Sequence, residues 1–149
     1  MPIKIANSGI APDAKSDVLK KAGSSSVESA QFNKQLKASS VKILDGDLQS
    51  LISKVKSEGD KFIHSPDEKG LLSYKSAIKS FMKKLTDSFL SLKEEFGSNL
   101  DGEQKVFQLV KRTESEVESL TKETLTENQA LGLLVSLDDI RGLVLDVLG

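Results

Sequence analysis

From Leu48 onward, apolar residues recur at every third or fourth position, the spacing that places them on one face of an α-helix. Leu48, Leu51, Ile52, Val55, Gly59, Phe62 and Ile63 form the first such face, and Asp47 stands where it can cap the helix start. Upstream, Val27, Ala30, Phe32 and Leu36 predict a short leading helix over 26–39. Ser65-Pro66-Asp67-Glu68 then reads as a fresh start, with Ser65 as cap, Pro66 at the first helical position and Glu68 reaching back to the cap amide. The helix it opens carries Leu71, Tyr74, Ile78, Phe81, Leu85, Phe89, Leu92 and Phe96 on one face, with Met82 alongside. It should stop at Gly97, where glycine tolerates a positive φ. At 1.5 Å per residue it would be about 45 Å long, long enough to serve as the spine for its shorter neighbours.

A loop over 98–102 follows, in which Asp101, answered by Gln104, is the expected cap of the next helix. Val106, Val110, Thr113, Val117 and Leu120 give that helix one stripe, ending near Lys122. Thr126 and Gln129 form a second capping box, and it opens a last helix from Glu127 to Leu148. This helix differs from the others. Leu131, Leu133, Leu134, Val135, Leu137, Ile140, Leu143, Val144, Leu145, Val147 and Leu148 cover most of its circumference, whereas an ordinary surface helix has a single apolar stripe. Such a helix needs cover on nearly all sides, from its own bundle, a second subunit or a partner. The expected fold is all-α, a four-helix-type bundle with a long central hairpin helix and a short leading helix. Residues 1–25, with Gly9, Pro12, Gly23 and the serines at 24–26, are expected to form a flexible N-terminal tail, and residues 26–149 a single helical bundle domain.

Composition narrows the chemistry. The chain has no cysteine, which excludes disulfides, thiol nucleophiles and thiolate-held metals. Its one histidine rules out a two-histidine site within one subunit. Charged residues make up 29% of the chain but sum to −1, so no strong overall pull toward nucleic acid or membrane is expected. Without an 18-residue apolar run or an apolar leader region, the expected location is the cytoplasm. Charge is nonetheless uneven: Ser50–Lys93 holds nine lysines and five acids, and from Glu94 to the end there are twelve acids and five bases.

Few residues group in a way that supports a site. Lys75, Lys79 and Lys83, spaced by four, line one side of the long helix and Lys84 widens the patch. They are candidates for phosphate contact, yet no glycine-rich loop or stacking aromatic accompanies them. In the last helix the only charges after its first turn are Asp138, Asp139, Arg141 and Asp146. Asp138 and Arg141 lie three apart on a mostly apolar helix, as a pair that fixes helix register or a subunit contact would. Gly142 beside them leaves room for another helix or a ligand to come close. His64, at a helix end, is placed to meet terminal carbonyls, Tyr74 reads as core with its hydroxyl at the edge, and Glu114, Glu116 and Glu118 fan outward instead of converging. No serine has the elbow context or the neighbouring base that would activate it. No catalytic residue, cofactor or metal site is expected.

The pattern YKSAIKSFMKKL beginning at Tyr74-Lys75, Gly59 after a leucine-rich helix, and above all the ending LVSLDDIRGLVLDVLG resemble the YaaR-like family of small bacterial proteins of uncharacterised function. The resemblance runs from about Phe32 to Leu148 and is most specific at Asp138-Asp139-Ile140-Arg141-Gly142-Leu143, with Asp146 in the next turn. Val144 falls where the family would be expected to be rich in leucine. The resemblance implies an all-helical cytosolic domain, brings no assigned catalytic residues from which an activity could follow, and leaves the N-terminal tail outside. The function expected is non-enzymatic, a regulatory or scaffolding protein acting through helix-mediated self-association, as a homodimer, or through an unidentified protein partner. The alternative is binding of nucleic acid or an anionic ligand through the lysine stripe.

Overall fold

A computed structural model describes residues 16–97 and 100–149. It contains four helices: α1 (Ser16–His64), α2 (Glu68–Phe96), α3 (Leu100–Glu118) and α4 (Glu127–Leu148). Among the described residues there is no strand. The chain divides into two units, Met1–Ala38 and Ser39–Gly149. Residues 1–15 of the expected tail lie outside the described residues, whereas Ser16–Ser25 form the first turns of α1. In the remainder of the first unit α1 continues with Val27, Phe32 and Leu36 exposed.

The second unit is the bundle. α1 passes through Asp47 unbroken, so the expected leading helix is not separate and Asp47 is not a cap. Its carboxylate instead lies 3.5 Å from the Lys84 ammonium on α2. Gly46 alone is too weak a breaker, costing a helix interior only about 1 kcal/mol. α1 ends at His64, where the Ser65 amide donates to the Lys61 carbonyl at 3.0 Å. The start of α2 also differs from expectation, because Asp67, not Ser65, is the cap. Its extended backbone (φ −153°, ψ 170°) turns the carboxylate back to accept the Gly70 N–H at 2.5 Å.

α2 is 29 residues, about 43 Å, and ends as expected at Gly97, whose φ of 85° suits glycine and whose amide donates to the Lys93 carbonyl at 2.7 Å. α3 already includes Asp101 in its first turn and closes at Glu118, four residues before the expected end. The chain then turns through Thr121 and Thr124, each hydroxyl accepting the other residue's backbone N–H at 3.2 and 2.7 Å. Buried Leu120 and Leu125 pin the two ends of that turn to the core. Thr126 caps α4 as expected, accepting the Gln129 amide at 3.2 Å. The reciprocal half of the box does not form, because the Gln129 side chain donates to Glu116 on α3 at 2.9 Å.

Leu44, Leu48, Val55 and Phe62 of α1, the Leu71–Phe89 face of α2, Val106, Val110 and Val117 of α3, and Leu133, Leu137, Ile140, Val144 and Leu148 of α4 make one core. Phe89 and Phe107 meet edge to face at 5.8 Å between centroids, the geometry aromatic quadrupoles favour. α4 packs on both α2 and α3. Where α3 begins beside the end of α4, a Cβ on Gly102 would collide with Val147, so glycine is needed at that contact. Among the described residues, no helix is long and apolar enough to cross a membrane.

Candidate functional site

α4 divides its apolar residues between two faces. Spacing of four, three, four and four puts Leu133, Leu137, Ile140, Val144 and Leu148 in the core, each at most 1% exposed. Leu131 and Val135, four apart on the other side, are 54% and 61% exposed. Leu134, Leu143 and Val147 pack partly against the core between the two rows. The expectation that apolar residues cover most of the circumference of α4 therefore holds, and the bundle covers only part of them. At the first turns of α4 the exposed row runs into a cleft of about 340 Å³, where Leu131 and Leu134 face Val55, Gly59, Ile63 and Tyr74. His64, exposed at the end of α1, borders the same cleft.

Beside the exposed row stand the charged residues singled out in the sequence. Arg141 donates from Nε to Asp138 at 3.0 Å, and its Nη2 lies 2.8 Å from the same carboxylate. Its Nη1 bonds Asp45 on α1, so the pair expected within α4 is a three-residue bridge between helices. The hydrogen bond to Asp138, joined by Asp45 and opposed by partial burial, raises the Arg141 pKa further above its usual range, which keeps the guanidinium charged. Periodicity could not find Asp45, because a partner 96 residues away leaves no local signal. Asp139 borders a shallow pocket with Arg112, and neither Asp139 nor Asp146 forms an ion pair among the described residues.

Gly142 does not mediate a close contact within the chain: a Cβ there would meet nothing within 4 Å. The close approach expected of it occurs at Gly102 instead. The sequence GLVLDVLG gives no hint of this, since Gly102 belongs to the start of another helix.

Tyr74 is core, as expected, but its hydroxyl is not at the edge. The residue is 1% exposed and the hydroxyl has no hydrogen-bond partner among the described residues. Burial, with the charge of Glu116 adding to it, pushes its pKa up to about 12. Gly59 makes space for the ring, since a Cβ there would lie 3.1 Å from Tyr74 Cε1.

The lysine stripe is largely occupied within the chain. Lys75 donates to the Glu118 carbonyl at 3.2 Å, Lys79 lies 3.8 Å from the Glu118 carboxylate, Lys83 3.1 Å from Asp87, and Lys84 meets Asp47. The complementary charge of the two stretches, visible in the sequence, is here realised by Lys79 with Glu118 and by Lys93 with Glu103. Glu116 and Glu118 thus serve Gln129, Lys75 and Lys79.

A family model described as a protein of unknown function, DUF327, matches residues 7–148. The chain belongs to the DUF327 family. It is similar to the uncharacterised protein YaaR of Bacillus subtilis (strain 168), with 29% identity over 119 residues that span 79% of this chain and 82% of that protein. The family match agrees with the YaaR-like resemblance and starts earlier than expected, at residue 7 instead of near Phe32. Most of the segment set aside as an N-terminal tail is therefore part of what DUF327 members share. No solved structure matches the chain.

Proposed function

We propose that this DUF327 protein is a non-enzymatic regulatory or scaffolding protein that works by docking another helix, from a second copy or from a protein partner, onto the outer face of α4. The exposure of Leu131 and Val135 is the observation that supports this. They are large aliphatic residues one turn apart, they lead into a cleft with an apolar lining of Val55, Ile63 and Leu134 beside charged Lys56, Asp60 and Glu127, and the fold does not use them to close its own core. Helix-in-groove recognition uses such anchors spaced by four. Open space above Gly142 lets a second backbone approach the same face. The Arg141 bridge to Asp45 and Asp138 holds α4 against α1 and fixes the register of the face.

The alternative, anion binding through Lys75, Lys79, Lys83 and Lys84, has less support, because a phosphate would have to displace the acidic or carbonyl partner each ammonium already has. A photoreactive amino acid placed at Val135 in living cells tests the docking reading directly. Adducts should form there, with another copy or a second protein, and be absent from a control position at Ser73 on α2. No adduct at 135 would overturn the reading.

A further inference from the structure

Resting on that reading, we infer that the outer face of α4 receives the 27–38 segment of α1 from a second copy of the chain. Three observations select this occupant. The face is acidic: Glu127–Leu148 holds four acids against Arg141 alone, and Arg141 is already engaged by Asp45 and Asp138. Asp139 and Asp146 have no ion-pair partner among the described residues. Two such faces would repel each other, so α4 does not pack on α4, and a basic helix fits better.

The chain itself supplies a basic helix. Over residues 27–38, Lys34 and Lys37 stand against Glu28 alone, so the segment carries a net positive charge, opposite in sign to the outer face of α4. Lys34 and Lys37 have no acidic partner among the described residues.

The apolar anchors also match. Phe32 is 64% exposed and Leu36 39%, one turn apart, as are Leu131 and Val135. Burying the exposed Phe32 ring would add apolar area to the contact, and the cleft beside Leu131, about 340 Å³ with aliphatic Val55, Ile63 and Leu134 and charged Lys56, Asp60 and Glu127 in its lining, is large enough for an aromatic ring. In the proposed contact Phe32 fills that cleft, Leu36 covers Val135, and Lys37, one residue further along the incoming segment, lies near Asp139. Reciprocal exchange of the two segments would close a two-fold dimer and leave no free copy of the contact.

The absence of native cysteine permits a clean test. Copies carrying Asn33→Cys, beside Phe32, are co-expressed with differently tagged copies carrying Asn128→Cys, one turn before Leu131, and treated with a short bismaleimide. The expected product is the mixed 33–128 dimer, with a yield that falls about tenfold or more when Phe32→Ser is added to the Asn33→Cys copy. A product dominated by 128–128 cross-links would overturn the inference and leave the docking reading standing with α4 as its own partner. Products of the 33–33 type, or a 33–128 yield unchanged by Phe32→Ser, would also overturn the inference. No cross-link of any type would count against the inference, whereas the docking reading fails separately if position 135 yields no adduct.

Discussion

The two faces of α4 are built from the same kinds of residue and have opposite fates. Leu133, Leu137, Ile140, Val144 and Leu148 are shut inside the core, while Leu131 and Val135, in the same helix, stay in water. The difference shows that the apolar content of a helix does not measure its contribution to the fold. A bundle of four helices can cover one side of its last helix, and what remains on the other side is surplus to stability. The surplus has a clear border, since Arg141, Asp138 and Asp45 tie the helix down where the apolar outer row gives way to charge.

The contrast is sharpest in unfolding energy. Leu137→Ala should cost about 2–5 kcal/mol in urea denaturation, the range for truncating a fully buried leucine. Val135→Ala should stay within about 0.5 kcal/mol when measured at dilution, as surface changes do. Equal costs at the two positions would erase the distinction between the faces.

Tyr74, in the wall of the cleft, provides a second probe. Its folded pKa of about 12 lies above the ordinary value of 10.0. Its contribution is therefore fully present below pH 10 and is lost as pH rises toward 12, because only the unfolded chain releases the proton readily. Relative to Tyr74→Phe, the wild type should lose about 3 kcal/mol of stability across that window, at about 1.4 kcal/mol per pH unit. A parallel pH profile for the two proteins would mean that the hydroxyl is solvated.

The Arg141 bridge should matter less than the core. Arg141→Ala is expected to cost about 1–3 kcal/mol, the range for hydrogen bonds between charged groups. A double-mutant cycle with Asp45→Asn should give a coupling of about 1 kcal/mol, and a zero coupling would reduce the bridge to a surface contact. The smallest effects separate the two glycines. Gly102→Ala must push Val147 aside and should cost about 1–2 kcal/mol, while Gly142→Ala meets open space and should gain about 0.5–1 kcal/mol from helix propensity.

Much of this architecture was readable in the sequence. The stripe from Leu71 to Phe89, the Val106–Val117 row and the Thr126 cap follow from local spacing and capping chemistry, so α2, α3 and α4 were foreseen with ends off by a few residues. The sequence divides α1 in two because Asp47 stands where it could cap the run beginning at Leu48. With no strong breaker beside it the helix continues through Asp47, whose carboxylate meets Lys84 on α2. The surplus of apolar residues on α4 was also readable, as a count. Which residues would be left outside was not, since that depends on where α2 and α3 lie against it. Asp45 and Gly102 gave no sign for the same reason, because their partners are distant in sequence. For the candidate site, the DDIRG segment contains the Asp138–Arg141 pair, and the structure adds Asp45 beside it.

The central claim is that the outer face of α4 serves association and not folding. Light scattering across a range of protein concentrations, on the wild type and on Leu131→Ser/Val135→Ser, tests it most directly. The wild type should exceed the monomer mass and return to it on dilution, while the double variant stays monomeric with its helix content intact. A double variant that associates as strongly as the wild type would contradict the account, and a wild type monomeric at every concentration would rule out a second copy as the docked helix.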